Sequence, residues 1–446
     1  MVKEMTHGNP LPLILGFCVP MLVGNLFQQF YSMVDAIIVG KFIDVDALAA
    51  VGSTGSVSFL IIGFTTGITS GSSILPSQSF GAGDYSEMRK YIANAVYLCI
   101  ITTVIVTSLA LGFCYPLLKI MQTPDDIIGL AYDYIAVIFG GICVTMAYNL
   151  MAGILRAMGD SRSPLYFLIV ASIINIGLDI LFIVVCGMGV AGAGWATVIS
   201  QGFSALLCFI YMKKTFPILS FEKGEMAFSK ERILAIAKLG VPMGLQFSIT
   251  AIGSILLQSA VNGLGKVTMA AVTAAGKMQS IMVAPMETLG ITMATYAGQN
   301  LGAGKYQRIK NGLNCSFVTG FAYSLVAILM VLFLSRPLCL LFVDAEETQV
   351  IEQAVYFIRI SAFFYPVLSV LFITRSSLQG LGYSFLPMLA GACELSARTV
   401  VALFLIAPFG FNAACFASPI AWVAATSLLV VVYIVKMREL RKRMCG

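Results

Sequence analysis

Twelve long apolar runs separated by short polar breaks constrain this 446-residue chain more than any other feature. They lie near 13–39, 48–75, 92–118, 127–152, 164–186, 190–212, 233–262, 268–297, 312–335, 350–374, 387–408 and 412–435. About 20 apolar residues carry a helix across a bilayer, and a chain inside hydrocarbon must hydrogen-bond its own backbone. The runs therefore predict an all-α polytopic membrane protein with twelve transmembrane helices. Composition agrees, at 59% apolar and 11% charged residues, where a soluble chain carries about 25% charged. The short connections exclude a large soluble catalytic domain, a nucleotide-binding cassette and an extracellular receptor domain. The first run is too long for a signal h-region and lacks an A-x-A exit, so it is expected to be the first span. The eleven cysteines contain no CxxC pair and mostly sit in apolar runs. They read as small buried hydrophobes, not as a disulfide or zinc framework.

The net charge of +6 could suggest nucleic acid, but its distribution points to a membrane. With the N-terminus cytoplasmic, the inner segments hold eighteen basic residues, from Lys3, Arg89 and Lys90 to Arg443. The outer segments hold only Lys41, Lys119, Lys266 and Arg336. This bias places both termini in the cytoplasm and the chain in the cell membrane. The longest polar stretch, 213–232, divides it into an N-terminal six-helix bundle (1–212), a cytoplasmic linker (213–232) and a C-terminal bundle (233–446) with a basic tail.

The halves repeat. Gln78-Ser79-Phe80-Gly81-Ala82-Gly83-Asp84-Tyr85 recurs as Gln299-Asn300-Leu301-Gly302-Ala303-Gly304-Lys305-Tyr306, at an offset of 221. Val19-Pro20-Met21 recurs as Val241-Pro242-Met243 at 222, and Leu155-Arg156-Ala157-Met158-Gly159 as Leu378-Gln379-Gly380-Leu381-Gly382 at 223. A near-constant offset means a duplicated six-helix unit. Six is even, so the copies share one orientation and a pseudo-two-fold axis along the membrane normal. Such repeats place a substrate path at their interface, which is the architecture of a transporter.

Here the residues carry a resemblance. The paired Q-x-x-G-A-G-x-Y loops and the Arg156-Ala157-Met158-Gly159-Asp160 loop resemble the multidrug and toxic compound extrusion (MATE) family. So does Gly189-Val190-Ala191-Gly192-Ala193-Gly194-Trp195-Ala196-Thr197 at the start of the sixth helix. The resemblance spans nearly the whole chain.

A charge inside a span costs about 2.5–3.5 kcal/mol on insertion scales and needs a reason. Asn175 and Asp179 share a face of the fifth helix. With Asp35 on the first helix and Thr197 on the sixth, they fall roughly 6–11 Å below the outer surface, counted at 1.5 Å per residue. Two carboxylates, an amide oxygen and a hydroxyl suit a small hard cation, Na⁺ being the metal in view. Two close carboxylates in a dry site could equally share a proton. The alternative is that all four are helix-end polar groups satisfied by backbone or water. The MATE resemblance implies that Asp35, Asn175, Asp179 and Thr197 form the ion-coupling site. Glu287, about two-thirds of the way down the eighth helix, either attracts a cationic substrate or carries a proton, or else bridges to Lys238 or Lys277. The acid that some family members carry on the tenth helix is absent, and Arg359 and Arg375 stand there instead. Glu394 and Arg398, four apart in the favourable order, read as a self-neutralising bridge. No G-x-x-x-x-G-K-[ST] and no H-E-x-x-H occur, and the only histidine is His7. Neither an enzyme nor a resident cofactor is expected. Pro20, Pro242 and Pro285 offer places to bend.

These features predict a monomeric secondary-active exporter, with small-molecule organic substrates and the lipid bilayer as partners. Inward Na⁺ or H⁺ would drive export of small cationic amphiphilic compounds by alternating access, the substrate class resting on the resemblance. The alternative is a lipid-linked oligosaccharide flippase on a related plan, which Arg359, Arg375 and Arg398 keep open.

Overall fold

The computed structural model describes residues 4–121 and 123–445; Lys3 and the Arg443 side chain, counted above among the inner cations, lie outside that set. Every regular element among the described residues is helical. In chain order these are α1 (Pro10–Phe42), α2 (Val45–Ser53), α3 (Gly55–Ser72), α4 (Ile74–Gly81), α5 (Tyr85–Ile120), α6 (Ile128–Gly140), α7 (Ile142–Ala157), α8 (Arg162–Asp179) and α9 (Gly189–Thr215). Then follow α10 (Lys230–Asn262), α11 (Lys266–Gly302), α12 (Tyr306–Cys339), α13 (Thr348–Phe363), α14 (Tyr365–Gly380), α15 (Phe385–Val400), α16 (Ile406–Phe409) and α17 (Phe411–Cys445). Among the described residues, ten spans are long and apolar enough to cross a membrane. Two more are bent pairs, α6 with α7 at 46° and α13 with α14 at 55°. With each pair taken as one span the count is twelve. The sequence showed the fourth and tenth runs as continuous, because a bend needs no polar residue. At the first bend Gly141 lets α9 approach: a Cβ there would lie 2.3 Å from a methyl of Val198.

The helices form two compact units. One is built on Val19–Ser248, and the other joins Met5–Cys18 to Ile249–Gly446. The division falls inside α1 and α10, both of which carry a proline, Pro20 and Pro242. The first unit therefore keeps the opening half of α10. Glycines make that possible. A Cβ on Gly67 would sit 2.5 Å from the Cα of Gly244, and one on Gly71 2.4 Å from the Cα of Gly240. Paired small-x-x-x-small faces of this kind bring backbones together without a polar anchor. Each unit has its own apolar core, one around Ile135, Phe139, Met146 and Leu155, the other around Met282, Met286, Ile358 and Tyr365.

The duplicated Q-x-x-G-A-G-x-Y loops close in the same way. After α4, the N–H groups of Ala82, Gly83 and Asp84 donate to the carbonyls of Gln78, Phe80 and Ser79. After α11, those of Ala303, Gly304 and Lys305 donate to Gln299, Leu301 and Asn300. Gly83 (φ 76°) and Gly304 (φ 69°) take the left-handed conformation that ends a helix this way. The motif is thus a helix-termination device used twice.

A strap crosses each of these regions. In the first unit it comes from the polar stretch before α10. Arg89 donates to Glu225, Glu222 and the Ile218 carbonyl. Asn94 donates to the Ala227 carbonyl and accepts from the Ser229 N–H. Arg232 forks onto both oxygens of Glu87 at 2.9 and 3.0 Å. In the second unit the strap is the segment before α1. The Met5 N–H donates to Gln299, while Asn300 and Arg308 donate to the Met5 carbonyl. Lys305 donates to the Thr6 carbonyl and to the His7 ring.

The buried bond from Arg89 holds the Glu225 carboxyl down at about 2, against an ordinary 4.5. A carboxyl depressed on folding contributes stability that is complete above its unfolded value and fades as pH falls through the folded one. The stability gap between the parent and Glu225→Gln should therefore be constant above about pH 5 and shrink steadily between pH 4.5 and 2. Thermal melting of both proteins across that range in detergent measures it, and a gap independent of pH would remove Glu225 from the strap's energetics.

Candidate functional site

Three helices of the first unit each present two polar residues one turn apart: Tyr31 and Asp35 on α1, Asn175 and Asp179 on α8, Thr197 and Gln201 on α9. Residues four apart share a helix face, so each pair points one way. The Asp35 and Asp179 side chains lie within hydrogen-bonding reach of each other. Asp35 is 9% exposed and Asp179 fully buried. Tyr31 meets Gln28 and Gln201 and faces both acids, and Tyr134 of α6 is also within their field. Gln201 is fixed in turn by Thr145, whose hydroxyl donates to its side-chain oxygen at 2.6 Å.

The site is short of donors. Oδ1 of Asp35, both oxygens of Asp179 and both amide atoms of Asn175 are buried without a hydrogen-bond partner. Two carboxylates in contact cannot bond each other while both are ionised, since neither holds a hydrogen. A proton or a small cation between them removes the conflict. Asn175, one turn before Asp179, has a free oxygen to add. Thr197 is half-buried and takes no part in the Asp35–Asp179 contact; its carbonyl accepts from Ser200.

Asp179 also marks a change of helix type. It is the last α-helical residue of α8, and Ile180–Val185 continue as a π-helical turn. The second unit repeats the change, with Val401–Leu405 π-helical after α15. Such turns concentrate at functional sites. The sequence offered no signal for them, because Ile180–Val185 is plainly apolar. Tyr31 and Gln201 are the site residues that the sequence reading passes over, although each stands four residues from Asp35 or Thr197 on the same helix face.

In the second unit Glu287 is exposed on α11, between buried Met286 and Thr288. Its charged neighbour is Arg375 of α14. Glu394 departs from the expected bridge as well. Its tight partner is Arg375, nineteen residues away in sequence, and Arg398 is the looser one at 3.7 Å. The i,i+4 spacing suggested only the weaker contact.

Asp35→Asn would place an amide donor beside Asp179. An orphaned buried acceptor costs about 1–3 kcal/mol, so this variant should melt above the parent in sodium-free buffer at pH 8. A melting temperature equal to or below the parent's would mean that another donor already serves the pair.

Comparison with known proteins agrees with this architecture. The sequence profile of the MatE family matches residues 20–181 and again 242–404, which are the two repeats. The probable multidrug resistance protein YpnP of Bacillus subtilis is 30% identical over 386 residues, covering 85% of this chain and 84% of the relative. The multidrug export protein MepA of Staphylococcus aureus is 21% identical over 390 residues, covering 87% and 83%. Among solved structures, a crystal structure of MATE in complex with MaL6 has the same fold, with TM-score 0.90 at 20% identity over 98% of this chain and 99% of that one.

Proposed function

The chain belongs to the MatE family of multi-pass membrane transporters, and on that premise we propose that it exports small cationic amphiphilic organic compounds in exchange for Na⁺ or H⁺. It is a transporter and not an enzyme. The observation that carries the coupling reading is the contact between Asp35 and Asp179, buried without a donor. Such a pair has a reason to bind a cation whenever one can reach it and to release it when conditions reverse. Inward movement of that ion down its gradient supplies the free energy, and alternating access converts it into outward movement of substrate. In this reading Asp35 and Asp179 carry the exchangeable charge. Asn175 and Thr197 supply neutral oxygens if the ion is Na⁺, while Tyr31 and Gln201 hold the acids in place. The relatives named for multidrug resistance and export support a permissive organic substrate class, and the exposed Glu287 supports a cationic one. The bias of basic residues supports cytoplasmic termini in the cell membrane, and the protein works as a monomer in the bilayer.

A lipid-linked oligosaccharide flippase would use its intramembrane arginines to hold phosphate. Two of the three here, Arg375 and Arg398, share Glu394, so the cluster has a single positive charge to offer, too little for the several negative charges of a lipid-linked diphosphate. A donor-free acid pair would have no task in such a protein.

Proteoliposomes with Na⁺ and pH gradients imposed separately test the proposal. Uptake of a cationic dye into inverted vesicles should follow one gradient and disappear in Asp35→Asn and in Asp179→Asn, with protein levels unchanged. Near-normal transport in both variants would refute the site. Glu287→Gln should weaken transport of cationic compounds at least about tenfold more than neutral ones, as expected for losing one charged contact. It should leave the ion dependence of the remaining activity intact. Equal losses for both compound types would assign Glu287 to structure.

A further inference from the structure

The second unit holds a charge cluster that cation coupling leaves unused. Arg375 of α14 donates to Oε1 of Glu394 on α15, and Arg398, one turn further along α15, sets its Nη2 3.7 Å from Oε2. Arg375, Glu394 and Arg398 are 7%, 3% and 7% exposed. An arginine does not give up its proton in a protein. Two guanidiniums against one carboxylate therefore leave a buried positive charge without a counterion. The hydrogen-bond count agrees: Nε of Arg375 and both Nε and Nη1 of Arg398 are buried donors with no acceptor. The other acid in range, Glu287, acts on Arg375 but is exposed, and among the described residues it forms no ion pair within 4 Å. Beside the cluster the absence of a side chain at Gly253 lets Arg398 pack close to α10. Gly253 of α10 faces Arg398, and a Cβ there would lie 3.4 Å from the orphaned Nη1.

We propose that Arg375, Glu394 and Arg398 form a binding site for one singly charged anionic group, of which a carboxylate is the best fit. A carboxylate offers two coplanar acceptors, which match the planar donor edges of a guanidinium, and supplies the one missing negative charge. Glu394 holds the two arginines in position and competes with the incoming group for them. The source of the anion is either a free small anion or the carboxylate of a larger organic molecule. The site stands on the cluster itself and does not depend on the identity of the coupling ion.

The test is calorimetric titration of the purified full-length protein, in nanodiscs of neutral phosphatidylcholine, with benzoate and with its uncharged counterpart benzamide. Benzoate should bind at least about tenfold more tightly, the margin of one charge-assisted hydrogen bond. Arg398→Gln should abolish that preference, and Glu394→Gln, which removes the competing carboxylate, should strengthen benzoate binding. Gly253→Ala, a mild change that sets a methyl over Nη1, should weaken benzoate while leaving benzamide unaltered. Displacement of benzoate by chloride at constant ionic strength identifies a free small anion as the occupant. Resistance to chloride identifies the carboxylate of an organic molecule. Equal binding of benzoate and benzamide by the parent protein would overturn the proposal whatever the variants do. So would benzoate binding that none of the three substitutions changes.

Discussion

In the hydrocarbon of a bilayer a polar atom has only the protein to bond with. Most of this chain meets that condition locally. Helices satisfy their own backbones, and buried Ser and Thr side chains donate back along the helix, as Ser72 does to Ile68 and Thr292 to Thr288. Two clusters of ionisable side chains do not meet it. One is the Asp35–Asp179 pair with Asn175, rich in acceptors and without donors. The other is the Arg375–Glu394–Arg398 cluster, with more donors than acceptors.

The condition also explains why the duplication could diverge where it did. Matched backbones close the two Q-x-x-G-A-G-x-Y loops, and a bent pair and a π-helical turn recur in each half. None of these depends on the side chains inside the bundle. Arg398 occupies the position that Asn175 holds one repeat earlier, so the helix that carries Asn175 and Asp179 in one copy carries Glu394 and Arg398 in the other. The straps diverged too. One rests on Arg89 and Glu225, the other on backbone carbonyls of Met5, Thr6 and Gly8 captured by Arg308, Lys305 and Asn300.

The twelve spans, the duplication and the acid pair were legible because each leaves a mark in one dimension. Apolar length marks a span, a constant offset marks a repeat, and an Asp in an apolar run stands out by its cost. The remainder depends on contacts between distant segments. The bends at Gly141 and Phe364 lie in runs whose hydropathy does not change. The opening halves of α1 and α10 join units that sequence order would not assign to them, in the case of α10 through backbone contacts at Gly67, Gly71, Gly240 and Gly244. Arg375 finds Glu394 across nineteen residues, whereas local spacing favoured Arg398. Depth along a helix does not fix rotation about it, so matched depth alone does not tell that the direct contact joins Asp35 to Asp179.

The two clusters have opposite needs, and this bears on how one scaffold can handle two ligands. A donor-free carboxylate pair gains from a cation and repels an anion; a guanidinium cluster with orphan N–H groups does the reverse. Buried charges of one sign exclude the wrong ion strongly, because little solvent screens them. Neither site therefore needs a size filter to keep the other's ligand out. Had both halves kept the same polarity, two equivalent acid clusters would attract cations alike. Arg398 stands in the second copy where Asn175 stands in the first, so matched backbones carry clusters that attract ligands of opposite sign.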